Sequence, residues 1–429
     1  ETFISYLPRD RRQAMAHGTI LGDRASGAVL FADISGFTPL TSMVYQQLGP
    51  QRGAEELNRT LNQIFDALIG RIHQYRGSVI AFSGDAVTFW FDGDDGLWAT
   101  ACALDMQDVM ANMGSIELPG GRYLPLDIKA SVAAGAVRRL MVGDEEIQVT
   151  DTLAGELLLR MAEGEKVAAR GEVIVCTDVA RNLGGRPLIT EQRTAESGLT
   201  FSLVEGLTAP VEGRPWLDVP INGLAQNSLR PWLLPPVYDR LNTGHGQFLA
   251  ELRNSVALFL NFAGLDYDGD PAVGEKLDRF IRRVQDILAY YGGSLLNLTI
   301  GDKGSYLLSS FGAPVAHEDD ARRAVSAALD LLTLPGKLED IDDVRIGISQ
   351  GIMFSGAYGG TNRRTYGILG EETNIAARLM DKAKTGQALV TDRVAQATNQ
   401  SHSYQTLPPV AVKGIVEPIP VRRLLARRQ

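Results

Sequence analysis

Short apolar runs alternate with longer amphipathic stretches along this chain, and the two patterns predict a regular order of strands and helices. Residues 27–31 and 78–82 are strand-like apolar runs. Between them, residues 54–75 carry leucine, isoleucine and phenylalanine about every 3.6 residues, which is typical of an amphipathic helix. A second helix is predicted near residues 96–113. The order is therefore strand, helix, hairpin of two strands, helix and strand, which suggests a ferredoxin-like α/β (α+β) core.

The same pattern occurs a second time about two hundred residues later. The matched blocks, in the same order in both halves, are 28–33 with 256–261, 75–85 with 291–302, 128–135 with 344–351, 153–156 with 369–371, and 171–178 with 386–392. The second half places predicted helices near residues 271–291 and 317–334. Five blocks that agree in order predict two copies of one domain.

The repeat sets the expected domain boundaries. We expect an N-terminal extension at residues 1–26, a first copy at 27–221, an interdomain arm at 222–246 and a second copy at 247–429. The arm contains prolines that interrupt a helix, but its leucines and Trp232 favour a packed segment over a loose tether.

Composition restricts the class of protein. Of the 429 residues, 45% are hydrophobic and 22% are charged, as in a soluble globular protein of two or three domains. The net charge of −9 argues against a nucleic-acid partner, and no apolar run is long enough to cross a membrane. Two cysteines, Cys102 and Cys176, are too few for a disulfide framework, which fits a cytoplasmic location. This interpretation leaves room for regulatory domains outside the chain.

Two acidic turns carry the main chemical signal. Asp33 and Asp85 each follow a strand-like apolar run, and an unpaired carboxylate is costly to bury there. Two such carboxylates would suit a pair of Mg²⁺ ions that keep sites open for substrate phosphates. Thr38 and Pro39 favour a helix start, whose free N–H groups attract phosphate, and Gly36 allows a close approach of the backbone. The alternative is a capped helix with Asp33 in a salt bridge.

Residues 31–38 and 83–86 of the first copy, together with 374–378 of the second, resemble class III nucleotidyl cyclases. The tandem arrangement resembles the bicarbonate-responsive soluble adenylyl cyclases and their bacterial relatives, and the likeness covers residues 27–423. It implies two domains that pack head to tail as an intramolecular pseudo-heterodimer. The active site would then lie in the cleft between them.

The resemblance also implies site residues. It assigns two Mg²⁺ or Mn²⁺ ions to Asp33, Asp85 and the carbonyl oxygen of Ile34. Asn374 would orient the ribose, and Arg378 would stabilise charge that develops on the α-phosphate. The implied phosphate-binding residues are Ser35, Gly36, Phe37, Thr38 and Lys413.

The repeat provides an internal control on this assignment. Leu159 and Glu163 stand in the first copy where Asn374 and Arg378 stand in the second, counted from the matched glycines. Asn261 stands in the second copy at the position of Asp33. The losses are complementary, so one cleft is expected to keep a full set of residues and the other to be degenerate.

Base recognition departs from the family pattern. The residues at the expected base-reading positions are Asn297 and Gly367, which match neither the adenine nor the guanine code. Lys303 lies nearby and either substitutes for the reader or is solvated beyond the turn. A missing hydrogen-bonding reader predicts relaxed or different selectivity.

Two further family positions also differ. Bicarbonate-responsive members carry a lysine where Ala81 stands, so activation by that route is not expected. Many members carry a phosphate-binding arginine directly after a hairpin glycine, which is placed at Gly135, so that Ala136 stands where this arginine is expected. Arg138 or Arg139 would replace it, unless both arginines are solvated on a hairpin.

The predicted function is the conversion of a nucleoside triphosphate, with ATP as the expected substrate, to a 3′,5′-cyclic monophosphate and pyrophosphate. The alternatives are a weak or inactive pseudo-cyclase that acts as a nucleotide-binding regulatory module, and a cyclase that prefers another base. Both halves of the site belong to one chain, so a monomer is expected.

Overall fold

The structure is a computed structural model, and it describes residues 3–35, 37–118, 122–218, 224, 226–244, 251–301, 304–411 and 418–428. The helices and strands follow the repeat closely, and the elements of each copy are given in chain order.

Strand β1 of the first copy begins at Arg24, three residues before Gly27. Its strands, among the described residues, are β1 (Arg24–Ser35), β2 (Ser78–Ser83), β3 (Ala86–Asp92), β4 (Ser115–Leu118), β5 (Arg122–Pro125), β6 (Asp127–Val142), β7 (Thr150–Ala154), β8 (Val173–Cys176), β9 (Pro187–Thr194) and β10 (Thr200–Leu207). Its helices are α1 (Arg9–His17), α2 (Phe37–Gln74), α3 (Leu97–Met113), α4 (Glu156–Val167) and α5 (Thr177–Leu183).

The second copy follows two short helices, α6 (Gln226–Leu229) and α7 (Pro235–Asn242). Its strands, in the described part of the chain, are β11 (Glu251–Ala263), β12 (Ser294–Gly301), β13 (Gly304–Phe311), β14 (Asp343–Gly359), β15 (Arg364–Leu369), β16 (Ala388–Thr391), β17 (His402–Thr406) and β18 (Val421–Arg427). Its helices are α8 (Val273–Tyr290), α9 (Asp320–Leu331), α10 (Glu371–Lys382) and α11 (Asp392–Thr398). Single 3₁₀ turns lie at Phe3–Tyr6, Arg230–Trp232 and Leu334–Gly336.

The two sheets have the same topology. The first runs β2-β3-β1-β6-β8-β10-β9 with β7 paired to β6, and the second runs β12-β13-β11-β14-β16-β18-β17 with β15 paired to β14. The first four strands of each order, with the two helices that connect them, form a ferredoxin-like βαββαβ unit. The predicted fold class and the repeat are therefore confirmed.

The copies pack reciprocally. Helix α2 of the first copy lies against β14 of the second, and α8 of the second copy lies against β6 of the first. Strand β2 also meets β12 near the centre of this interface. Equivalent elements are exchanged between equivalent partners, so the two domains are arranged head to tail.

A third, smaller apolar cluster joins the N-terminal segment to the arm. Tyr6 and Leu7 pack against Leu233, Val237 and other apolar residues of the arm. The backbone of the arm also bonds to the first copy, where the Val149 N–H donates to the Pro231 carbonyl at 2.7 Å. Residues 229–241 are thus packed against both copies.

Three local expectations need correction. Helix α2 begins at Phe37, so Thr38 is its second residue and not its N-cap, and the helix bends at Gly49, where φ is 76° and ψ is 174°. Gly135 lies within the continuous strand β6 and not at a hairpin turn. Arg138 and Arg139 are only 3% and 5% exposed. Arg138 pairs with the Asp23 carboxylate, and Arg139 pairs with the Asp10 carboxylate of α1.

Candidate metal and nucleotide site

The two predicted metal-binding aspartates lie side by side. Asp33 is near the end of β1, directly opposite Ala86 of β3 in the sheet register. The Ile34 N–H donates to the Asp85 carbonyl at 3.3 Å, which ties the β2–β3 turn to the end of β1. The antiparallel register of β1 and β3 thus brings together two residues that are fifty positions apart in sequence.

The carboxylates of this pair disfavour each other's charge. Burial raises the pKa of Asp85 to about 7, and the neighbouring Asp33 adds to the rise. Burial likewise raises the pKa of Asp33, against the opposing effect of Lys129. A divalent cation between the two groups would remove this repulsion.

Lys129 and Glu165 are at the site and were not singled out from the sequence. Lys129 lies opposite Asp33 in the register of β1 and β6, with its Nζ 3.6 Å from the Asp33 carboxylate. It also forms a direct ion pair with Glu165 of α4. A sequence signal for Lys129 existed, because the matched position in the second copy is also basic, at Arg345.

The donor set fits a hard divalent cation. Mg²⁺ and Mn²⁺ are bound by carboxylate and carbonyl oxygens, and Asp33, Asp85 and the Ile34 carbonyl offer these. Within the described residues, no group of three or more His, Cys, Asp or Glu side chains is arranged to hold a metal ion. An ion here would therefore need further oxygen ligands from water or from substrate phosphates.

The segment after Asp33 is described only in part. Ser35 is buried at the end of β1, and its carbonyl accepts a hydrogen bond from Arg170 at 3.4 Å. Phe37 and Thr38 form the first residues of α2. Gly36 and Lys413 lie outside the described residues.

Asn374 and Arg378 lie on one face of α10. Asn374 is exposed, whereas Ile375 and Leu379 on the opposite face are buried under the sheet. Arg378 pairs with Asp381 on the same helix at 3.5 Å. Among the described residues neither side chain has a recorded hydrogen bond or ion pair with the acidic pair, so a ligand would have to link the two halves.

A close helix–strand contact sets the position of α10. A Cβ atom at Gly347 of β14 would collide with the Ala376 carbonyl and the Met380 N–H of α10. Glu372, in the first turn of α10, accepts a hydrogen bond from Ser349 of β14. These contacts fix the distance and the rotation of the helix that carries Asn374 and Arg378.

The two base-reading candidates, Asn297 and Gly367, make different contacts. The Asn297 side-chain amide donates to the Phe82 carbonyl and to Thr299, both at 3.1 Å. Gly367 faces the ring of Tyr358, which a Cβ atom at 367 would reach at 2.7 Å.

The Tyr358 ring fills the space beside Gly367. Tyr358 packs on Phe82 and lies against the backbone of Gly84, within the turn that carries Asp85. The first copy has Val142 and Thr152 at the matched positions. The second copy therefore has a large residue, Tyr358, and a small one, Gly367, where the first copy has two residues of intermediate size.

Protein groups bond directly to one another at the positions that match the site in the second copy. Arg345 donates to the Asn261 side chain at 2.8 Å. The Asp268 carboxylate accepts the N–H of Glu156 at 2.8 Å, at the start of α4. Asp268 belongs to the second copy and α4 to the first, so this contact joins the two copies.

A small cavity of about 70 Å³ lies between the copies. Ala81, Asn297 and Arg363 are among its lining residues, whereas Asp33 and Arg378 are not. This cavity is too small for a nucleotide.

Comparison with known proteins identifies relatives for the chain. Residues 272–421 match the family described as adenylate and guanylate cyclase catalytic domain. The chain is 24% identical over 444 residues to adenylate cyclase type 10 of Rattus norvegicus, which covers 93% of this chain and 26% of the relative. It is 23% identical over 454 residues to adenylate cyclase type 10 of Homo sapiens, covering 95% of this chain and 27% of the relative. The chain thus spans about a quarter of the length of these curated relatives.

A solved structure shares the two-domain fold. It is a class III adenylyl cyclase-like ATP-binding protein from Pseudomonas aeruginosa, with a TM-score of 0.61 at 13% identity, and the match covers 87% of this chain and 85% of that chain. Among the described helices, none is both long and apolar enough to cross a membrane.

Proposed function

We propose that this chain, whose residues 272–421 match the family described as adenylate and guanylate cyclase catalytic domain, converts a nucleoside triphosphate to a 3′,5′-cyclic monophosphate and pyrophosphate. One observation carries the proposal. The acidic pair belongs only to the first copy, and the exposed Asn374–Arg378 face belongs only to the second. The head-to-tail packing of the copies supports the proposal, because it would let these two complementary sets line one cleft. The expected base is adenine.

The reaction divides between the two halves of the cleft. The ribose 3′-oxygen loses its proton and attacks the α-phosphorus, and the bond from that phosphorus to the β-phosphate oxygen breaks, which releases pyrophosphate. Mg²⁺ or Mn²⁺ held by Asp33, Asp85 and the Ile34 carbonyl would lower the pKa of the 3′-hydroxyl and neutralise phosphate charge.

The side chains of α10 act on the other side of the nucleotide. Asn374 would hold the ribose so that its 3′-oxygen faces the α-phosphorus. Arg378 lies one helical turn further and donates to the oxygens on which charge develops. A donor of this kind contributes roughly 10²–10³ in rate, and its ion pair with Asp381 is weak enough to yield to a phosphate.

A second candidate is a nucleotide-binding module without catalysis. The contacts of the two base-reading candidates favour it, since Gly367 has no hydrogen-bonding side chain and the Asn297 amide already donates to the Phe82 carbonyl and to Thr299. The relative with the shared two-domain fold is itself described as a cyclase-like ATP-binding protein. Such a module would bind a nucleoside triphosphate in the same cleft and leave it intact.

The test is an incubation of the purified chain with Mn²⁺ and each of the four ribonucleoside triphosphates, with chromatographic detection of cyclic product. We expect cyclic AMP as the main product. Asp33→Asn and Arg378→Ala should each lower the rate by at least about 10². Nucleotide binding without any product would favour the regulatory module, and a main product from another nucleotide would refute the choice of ATP.

A matched control distinguishes the site from general effects of charge. Arg181 lies on α5 and pairs with Asp178 three residues away, much as Arg378 pairs with Asp381 on α10. Arg181→Ala should leave the cyclase rate unchanged. If Arg181→Ala and Arg378→Ala lowered the rate equally, the assignment of Arg378 to the site would be wrong.

A further inference from the structure

We propose that Glu165 is a positioning residue of the metal site, which takes Lys129 away from Asp33 when a divalent cation binds. The inference rests on the proposed function, because it concerns the same acidic pair. It assigns a role to two residues, Lys129 and Glu165, that have no place in the reaction as described above.

Lys129 is shared between two carboxylates. Its Nζ lies 3.6 Å from the Asp33 carboxylate and forms a closer ion pair with Glu165. The side chains of Lys129, Asp33 and Glu165 are 22%, 26% and 23% exposed, so ions from solvent can reach all three. A lysine has a flexible stem and three rotatable donors, which lets it move between the two partners without a change of backbone.

The ammonium group and a metal ion compete for the same oxygen atoms. A lysine bound to Asp33 supplies one positive charge where a dication would supply two, and the two cations repel each other at contact distance. Lys129 must therefore leave Asp33 when the ion arrives. Glu165 gives it a second carboxylate in reach, so it need not be left unpaired in a half-buried place.

In the second copy, other residues stand at the positions of Lys129, Asp33 and Glu165. Arg345, at the position of Lys129, donates to Asn261, which replaces Asp33. Met380 stands ten residues after Gly370, as Glu165 stands ten residues after Gly155. The copy that lacks the metal carboxylate therefore also lacks a carboxylate at the matched helix position, and Arg345 pairs instead with Asp343 of its own strand at 3.0 Å.

The experiment is a double-mutant cycle on the affinity for Mn²⁺ of the nucleotide-free chain, read from the electron paramagnetic resonance signal of free Mn²⁺. The variants are Glu165→Gln, Lys129→Gln and the two together. In Glu165→Gln, Lys129 stays on Asp33, so Mn²⁺ should bind about tenfold more weakly, within the range of coupling seen between residues in contact. Lys129→Gln removes the competitor and should strengthen binding about threefold or more.

The double variant decides between exchange and a simple field effect. If Glu165 acts through Lys129, the Glu165→Gln change has no effect in the Lys129→Gln background beyond about twofold. If Glu165 only contributes negative charge near the ion, it weakens binding equally in both backgrounds, and that result overturns the proposal. Circular dichroism checks that each variant is folded.

Glu163→Gln is the matched control. Glu163 lies on the same helix but pairs with Lys166, three residues away, and not with Lys129. It should leave Mn²⁺ affinity within about twofold of the wild type.

The exchange and the proposed function fail in different ways. Mn²⁺ binding with an additive cycle overturns the exchange alone, because the cyclase assay reports separately on catalysis. A double-mutant cycle that shows the exchange, combined with a cyclase assay that gives no cyclic product, overturns the catalytic function alone. A wild-type chain that binds no Mn²⁺ without nucleotide overturns the exchange, and the cyclase assay then decides the proposed function separately.

Discussion

Replacement of Arg139 by methionine should be among the most destabilising single changes in the first copy. The Arg139 side chain is 3% exposed and lies between Asp10 of α1 and Asp151 of β7. It donates to Asp151 from Nε at 3.1 Å and from Nη2 at 2.6 Å, and it also pairs with Asp10. Removal of one partner from such a buried cluster leaves uncompensated charge and costs about 3–5 kcal/mol.

The remaining contacts place the expected value within that range. Asp151 keeps Arg11, whose Nη2 is 3.0 Å away, whereas Asp10 loses the side chain that neutralises it. One carboxylate is then left without a cation, and we expect a loss of about 4 kcal/mol at pH 7. Arg139 also joins α1 to the sheet, so the N-terminal segment should be the first part to detach.

The loss should depend on pH with a defined sign. Burial raises the pKa of Asp151, but Arg139 and Arg11 outweigh it and hold the pKa below its usual value. In the wild type this contribution is present above the unfolded pKa of about 3.9 and does not change between pH 5 and 7. Without Arg139 the effect of burial on the pKa of Asp151 has less opposition, this carboxyl group takes up a proton more readily as the pH falls, and the gap between variant and wild type should narrow by about 1 kcal/mol at pH 5.

The assay is urea unfolding followed by circular dichroism at pH 7 and pH 5, with Arg193→Met as the control. Arg193 also pairs with two carboxylates, Glu172 and Glu191, but the Glu191 side chain is 52% exposed. Its replacement should cost less than about 1 kcal/mol. Equal losses in the two variants, or a gap that stays constant with pH, would refute the reasoning.

Two further changes test the packing and the pH response of the fold. Gly347→Ala should push α10 away from β14, because the added methyl group meets the Ala376 carbonyl. We expect thermal unfolding to show a loss of stability of about 1–3 kcal/mol and the kcat of the cyclase reaction to fall. An unchanged Tm would contradict this expectation. Burial and the nearby Arg12 lower the pKa of His73 to about 3, so the unfolded chain binds the proton first and stability falls below about pH 6.5. His73→Gln should therefore flatten the decline of the urea midpoint between pH 7 and 5, and identical slopes would argue against that burial.

Much of the fold could be predicted because the same sequence pattern occurs in both copies. Helices at 96–113 and 271–291 agree with α3 and α8 to within two residues, and of the two α8 has the stronger apolar periodicity. The helix start at residue 37 differed by a residue or two, because capping patterns locate helix ends less well than periodicity locates helix bodies. Gly135 was placed at a turn, but β6 continues through it because the neighbouring strand β1 pairs with it on both sides of that point.

The candidate site was predictable only where the chemistry lies in one residue type. Asp33, Asp85, Asn374 and Arg378 stood out by motif, and their roles remain predictions. Lys129 and Glu165 did not stand out, because a lysine in a strand and a glutamate in a helix are common and their meeting depends on how α4 lies on β6. Tyr358 was missed for a similar reason, since the space at Gly367 that it fills exists only between two paired strands.

By itself the sequence determined the repeat, the order of elements in each copy and the complementary loss of site residues, because these depend on periodicity and on residue identity at matched positions. Only the tertiary structure decided which charges are buried and which groups meet. Arg139 illustrates the difference: it was expected either to bind phosphate or to be solvated, and its side chain is 3% exposed and lies between two carboxylates. The free energy of a charge depends on its distance to other charges and to water, and those distances are set by elements that are far apart along the chain.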